Sequence, residues 1–231
     1  MIEPSAVLAA LATVRDPELD QAITALGFVA SYEVAEAAVR VRLRLPTYFC
    51  APNFAFLMVA DAFDAVAAIP GVVQPEVVLD DHFASAAIND GVAARAGFAR
   101  SFPDQAIGEL DQLRRDFLRK AVLAGTDQVC RPLLAAGRSL PELARITLGG
   151  IPPSAALDRL RRRRSELGLP VGDDSPLLID PVTGEAVGID ALPLHLRRAR
   201  LTQVGVEANT SICRGSLRYR YSSAGQGEEA S

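Results

Sequence analysis

The sequence predicts an α+β fold: a small α-β-β-α-β sandwich followed by a mostly helical C-terminal extension with a few strands. The prediction rests on three features. Residues 37–45, AAVRVRLRL, alternate aliphatic side chains with Arg40, Arg42 and Arg44, so one strand face is core and the other is wet. Residues 52–69, PNFAFLMVADAFDAVAAI, are apolar around most of a helix, which implies deep packing against that sheet. Charge shifts at about residue 100. Residues 1–100 carry six arginines and twelve Asp or Glu, a net of −6, whereas the remainder carries 18 basic and 16 acidic residues, a net of +2. The expected boundaries are 1–83 for the sandwich, 84–108 for a connector, 109–221 for the extension and 222–231 for a disordered tail.

The elements follow in order. Residues 4–14 read as a short helix with Leu8, Leu11 and Val14 on one face and Pro4 in the first turn. Residues 16–27, DPELDQAITALG, open on Asp-Pro, a helix-entry signal, and end at Gly27, so a second helix is expected. Residues 28–36 and 37–45 form a hairpin across a short connection. Pro70-Gly71 stops the long apolar helix, and residues 72–80 read as a third strand, placed by Pro75 at an edge or a bulge. Residues 84–108, rich in Ala, Gly, Ser and Asn, make a helix-containing connector. Residues 108–125 read as an amphipathic helix with Leu110, Leu113, Phe117 and Val122 inward, ended by Gly125. Further helices are expected at 127–137, around Pro132, at 139–146, capped by Ser139, and at 152–168. Residues 176–189 read as a hairpin, and 201–208 and 216–221 as strands.

Composition narrows the function classes. At 231 residues and 49% hydrophobic the chain supports a sizeable core. The start carries an acid at Glu3 and no basic region, unlike a secretory signal. The most apolar stretch, 54–69, is too short to span a bilayer and contains Asp61 and Asp64, so no membrane partner is expected. Three cysteines are too few and too dispersed for a disulfide framework or a CxxC zinc site, which fits a reducing cytoplasm. The run Arg161–Arg164 wraps around a helix without aromatic neighbours and reads as a solvated or partner-facing surface, so no nucleic-acid partner is expected. No nucleophile elbow, P-loop, dinucleotide fingerprint or HExxH motif is present, and no enzyme activity is expected.

Cys50, in LPTYFCAPNF, stands between the clearest strand and the apolar helix, two residues before Pro52. Near a helix N-terminus a thiolate is stabilised, and thiolate is the form that binds iron or zinc. The alternatives are a small buried hydrophobe and a reactive thiol of a cysteine-dependent enzyme. Asp16 reads as an N-cap, and Glu18 as a first-turn acid. Asp80, Asp81 and His82 follow the third strand, either as metal donors or as a polar turn. His195 and Cys130 read as structural. Cys213 reads as core near a turn into a strand, or as the second half of a split site with Cys50.

Asp16-Pro17-Glu18, Leu26-Gly27-Phe28-Val29, the loop Thr47 to Pro52 and Ile69-Pro70-Gly71-Val72 together resemble, in order and spacing, the MIP18-type (DUF59) domain of iron–sulfur assembly factors. The resemblance covers about residues 5–83. The family places Cys directly before Pro, whereas Ala51 intervenes here. The whole chain is similar to a longer actinobacterial form identified as an iron–sulfur assembly protein and encoded near soluble di-iron monooxygenases. The resemblance implies a non-enzymatic maturation factor that handles iron or an iron–sulfur cluster transiently, with Cys50 as principal contact and Glu18, Asp81 and His82 as further metal ligands. The implied partner is a client metalloprotein, such as a di-iron monooxygenase component. One chain cannot supply four thiolates, so a cluster needs other donors, an external thiol or a second subunit, as in a homodimer. The rival reading is a metal-independent chaperone that binds an apo-oxygenase subunit.

Overall fold

The computed structural model describes residues 2–104 and 110–222. Nearly all of the expected disordered tail (223–231), the end of the connector and the first two residues of the helix expected from 108 lie outside the described residues. The chain divides into two compact units, Met1–Asp111 with Asn209–Ser231, and Gln112–Ala208. The fold is α+β, as the sequence predicts.

The first unit opens with α1 (Pro4–Leu11), β1 (Arg15–Asp16), β2 (Gln21–Ala22) and α2 (Ile23–Leu26). Val7 and Leu11 of α1 face the core, one helical turn apart, while Leu8 is 42% exposed, so the inward face differs from the expected one. The helix expected at 16–27 is replaced by a two-strand turn and a single helical turn. The Asp16 carboxylate accepts from the backbone N–H of Glu18 (2.9 Å) and Leu19 (2.8 Å). It therefore caps a turn, with Asp20 left-handed at φ 51°. Gly27 ends α2 at φ 78°, in the left-handed conformation that glycine adopts without strain.

Next come β3 (Val29–Ala35), β4 (Ala38–Leu43), α3 (Pro52–Ala67) and β5 (Gln74–Leu79). The sheet order is β3-β4-β5, with β3 and β4 antiparallel and β4 and β5 parallel, α3 serving as the crossover. Val39, Val41 and Leu43 of β4 are buried, while Arg40 and Arg42 reach across the wet face to Glu76 and Asp80, each at 2.8 Å. Pro75 lies on β5, an edge strand, where its missing N–H is tolerated. In the expected connector, α4 (Ser85–Ala93) and α5 (Phe98–Ser101) contribute Ile88, Val92 and Phe98 to the same core.

The second unit contains most of α6 (Asp111–Ala135), then α7 (Leu140–Leu143), α8 (Ala155–Glu166) and the start of α9 (Leu192–Ser222). α6 is continuous where two helices are predicted. Gly125 is a close-packing position, since a Cβ there would lie 3.4 Å from Leu160 of α8. Pro132 sits in the last turn, and Gly137 at φ 88° ends the helix. Ser139 caps α7 as predicted, in a capping box with Glu142. Residues 176–189 form a tight turn with one bridge, Ile179 to Ala186, in place of a two-stranded hairpin. The predicted strands at 201–208 and 216–221 are both part of α9. Its buried positions Ala199, Gln203, Thr210 and Leu217 recur at helical spacing, but two of them are polar, which hides the stripe from a hydrophobicity reading.

The arginine run also departs from expectation. Arg162 is exposed, but Arg163 is buried and Arg164 is fully enclosed. Arg164 lies on the Leu157–Leu160 side of α8 and donates to the carbonyls of Pro176 (2.9 Å) and Leu177. Burial holds its pKa down at about 10. Arg164→Leu orphans two carbonyls and is expected to lower stability by about 2–4 kcal/mol in urea unfolding, whereas Arg162→Leu changes it by less than about 0.5 kcal/mol.

His195 of α9 is buried, and its Nε2 has no hydrogen-bond partner. Burial lowers its pKa below 6.5, against the nearby Asp180 carboxylate and assisted by Arg198 and Arg164. The folded chain therefore favours the neutral ring, while the unfolded chain takes up a proton near its ordinary value. This stabilisation is complete above pH 6.5 and is lost as the pH falls toward the lowered value. His195→Leu is expected to reduce the drop in urea midpoint between about pH 7.5 and 5.5 relative to wild type.

Candidate functional site

The loop after β4 carries the expected thiol. Leu45 and Pro46 are buried, Thr47 to Phe49 are exposed, and Cys50 is half-buried. Ala51 is the N-cap of α3 without a side-chain cap, and Pro52 opens the helix. Cys50 thus sits directly before a helix N-terminus, where the sequence places it. The Thr47 hydroxyl lies 3.3 Å from the Cys50 sulfur.

A second loop brackets the first. Asp81, left-handed at φ 52°, turns the chain after β5. The Nε2–H of His82 donates to the Cys50 carbonyl (2.8 Å), and the Ala84 N–H donates to Nδ1 (3.2 Å), which fixes the tautomer. The Phe83 N–H donates to the Tyr48 carbonyl (3.2 Å). Burial lowers the His82 pKa, against the bond to Cys50 and with the Arg220 charge adding. Both ring nitrogens are engaged, so His82 as placed positions the cysteine loop. The Asp81 carboxylate is likewise occupied, by Arg220 (2.5 Å) and the Tyr221 hydroxyl (3.4 Å).

The third component is the last part of α9, which belongs to the same unit as these loops. Asn209 donates to the Glu18 carboxylate (3.2 Å), Gln21 to the Thr210 hydroxyl (2.9 Å), and Arg214 to the Gln21 side-chain carbonyl (3.1 Å). These bonds lay the helix along the Asp16–Ala22 turn. Asp16 is buried, which pushes its carboxyl up to about 6 despite its two backbone hydrogen bonds. One turn beyond Asn209 is Cys213, half-buried. Burial, with the nearby Asp16, Cys50 and Glu18 side chains adding, pushes its thiol up to about 11. A shallow groove lined by Pro46, Thr47, Gly215, Ser216, Tyr219 and Arg220 runs between the cysteine loop and the helix.

Asp16, Cys50 and Glu18 all act electrostatically on Cys213. Asp81 and His82 adjoin the Cys50 loop as supports. Cys130 is elsewhere, in the core of the second unit, where burial pushes its thiol up to about 12. Among the described residues, no group of three or more His, Cys, Asp or Glu side chains is arranged to hold a metal ion, and no helix is long and apolar enough to cross a membrane. Beside the thiol stand three exposed rings, Tyr48, Phe49 and Phe83, with Phe49 77% exposed and centroids 5.0–6.4 Å apart. Sequence reasoning did not find this cluster, because residues 49 and 83 meet only through the two-loop bracket. Asn209 and Arg220 were also missed, since their segments read as loop and strand.

An N-terminal α+β unit with a bracketed thiol at a helix start is the class defined by fold and site. Residues 4–77 match the model of a family described as iron-sulfur cluster assembly protein. That span contains Asp16, Glu18 and Cys50 and leaves α9 outside it, and it supports a general role in iron–sulfur assembly. No curated protein and no solved structure matches the chain.

The bracket has a measurable consequence. His82→Ala removes one hydrogen bond, worth about 1 kcal/mol, so alkylation of Cys50 by iodoacetamide is expected to quicken about fivefold. An unchanged rate, read by mass spectrometry of the Cys50 peptide, shows that His82 does not hold the loop.

Proposed function

We propose that the chain is a maturation factor that holds iron or an iron–sulfur unit in transit at the Cys50 loop and passes it to a client metalloprotein. The observation that carries this reading is the family match over residues 4–77, which includes the half-buried thiol at the start of α3. Cys50 is the principal donor, and the Glu18 carboxylate is the accessory donor that the resemblance implies. Of the other two expected ligands, His82 and Asp81 serve the loop rather than the cargo, because their polar atoms already have partners. Donors in one chain fall short of a complete cluster, so the client, a small thiol or a second copy completes the coordination. The client class implied by the resemblance of the whole chain is a di-iron monooxygenase component.

A second reading is favoured by the aromatic cluster. Tyr48, Phe49 and Phe83 form an exposed apolar surface at the same loop, which suits docking of an apo-oxygenase subunit without metal transfer. Anaerobic iron loading separates the two. Wild type is expected to retain iron through desalting, and Cys50→Ala to lose most of it. Equal, negligible iron in both overturns metal handling. Client co-purification that survives Cys50→Ala but not Phe49→Ala supports the chaperone reading.

A further inference from the structure

We infer that the solvent face of α9 from Leu194 to Ala208 is a docking seam for an acidic amphipathic helix of a partner protein, a recognition surface built without the Cys50 loop. Its basis is the phase of the helix. Leu192, His195, Ala199 and Gln203, all in the second unit, are buried. At about 100° per residue, Leu194, Arg198, Leu201, Gly205 and Ala208 fall on the opposite side. Their intervals of four, three, four and three are the seam spacing of paired helices. All five are exposed, Leu194 at 53% and Leu201 at 65%, with Val204 beside them at 42%. A Cβ at Gly205 would meet nothing within 4 Å, so the middle of the seam is open. The seam is about 21 Å long, close to four helical turns.

Charge selects the partner. This stretch carries Arg197, Arg198 and Arg200 against one acid, Glu207. Arg200 is engaged by Asp127 at 3.3 Å. Arg197 and Arg198 are exposed, and among the described residues their guanidinium groups enter no hydrogen bond or ion pair. Asp180 lies within electrostatic reach of Arg198, but its carboxylate accepts the N–H groups of Val182 (2.7 Å) and Thr183 (3.1 Å). Two unpaired cations thus stand beside two exposed leucines. That pattern complements a helix with apolar seam positions and Asp or Glu along its edges. A second copy fits poorly, since parallel pairing sets Arg198 against Arg198 and either direction brings three arginines against three. Lipid fits poorly as well. An interfacial helix buries a broad apolar face, whereas this line is narrow and carries Arg198 and Gly205 within it.

The test uses the full chain and two labelled synthetic helices of about 21 residues, both with Leu at the seam positions, one flanked by Glu and the other by Lys. Fluorescence anisotropy is expected to show wild type binding the Glu helix at least about tenfold more tightly than the Lys helix. Leu201→Asp should weaken binding of the Glu helix at least about tenfold. Arg197→Glu combined with Arg198→Glu should reverse the preference, so that the Lys helix binds more tightly, a result that a folding defect does not produce. Equal binding of the two helices by wild type, or an unchanged preference in the double variant, overturns the inference. So does a wild-type dimer in sedimentation velocity that Leu201→Asp dissolves, which assigns the seam to a second copy. Co-sedimentation with phosphatidylglycerol vesicles that Leu201→Asp abolishes, while neither helix binds, assigns it to lipid and overturns the inference as well. Cys50→Ala should bind the Glu helix as wild type does, and a loss there places recognition at the Cys50 loop instead.

Discussion

The face of α9 from Asn209 to Tyr221 is the constraint on which the thiol site depends. Its apolar contribution is Leu217, 6% exposed, whose burial stabilises by about 2 kcal/mol. Leu217 packs over Gly27, where an added Cβ would lie 3.3 Å from its Cδ2. The glycine therefore both turns the chain at φ 78° and lets the helix approach. The polar contribution is Arg220, which donates to carbonyls on the two loops that follow β4 and β5. One side chain thus ties together the loops that carry Cys50 and His82. At the other end, Asn209 and Thr210 engage Glu18 and Gln21. The segment that looks like an appendage in sequence completes the first unit in space.

The bracket around Cys50 works on its backbone and leaves its sulfur available. His82 holds the carbonyl, while the sulfur has the Thr47 hydroxyl at 3.3 Å. Cys130 shows the contrasting state. It is 1% exposed among aliphatic side chains, and burial pushes its thiol up to about 12. A thiol that must lose a proton to bind metal is disfavoured there. Residue type alone does not separate the two cysteines, but backbone support and solvent access do.

The parts of the fold legible in the sequence are those that bury one face of one element. The alternation in β4 and the all-round apolarity of α3 read correctly because the sheet covers them directly, and Pro75 marked an edge strand. The turn at 16–22 was not legible. Asp-Pro is a helix entry only if the carboxylate caps a helix, and here it caps a turn. The end of α9 was misread for a related reason. Tyr219, Tyr221 and the short Thr and Val runs favour strand locally, whereas the winning signal is a stripe of Thr210, Cys213, Leu217 and Arg220 that is apolar at only half its positions. Cys50 was legible from its junction, but the helical setting of Cys213 was hidden by that misreading.

The aromatic surface and the thiol belong to one loop, and this links the two functional readings. Tyr48 and Phe49 immediately precede Cys50, and Phe83 follows the histidine that holds its carbonyl. A partner that covers these rings necessarily comes close to the sulfur. Docking would then remove water from the thiol neighbourhood, where lower dielectric strengthens every metal–donor and charge interaction. A carrier needs affinity sufficient to collect its cargo and a geometry that a better-equipped client can outcompete. On the proposed carrier reading, a half-buried thiol with recognition built into the same loop would meet both conditions without a closed four-ligand cage.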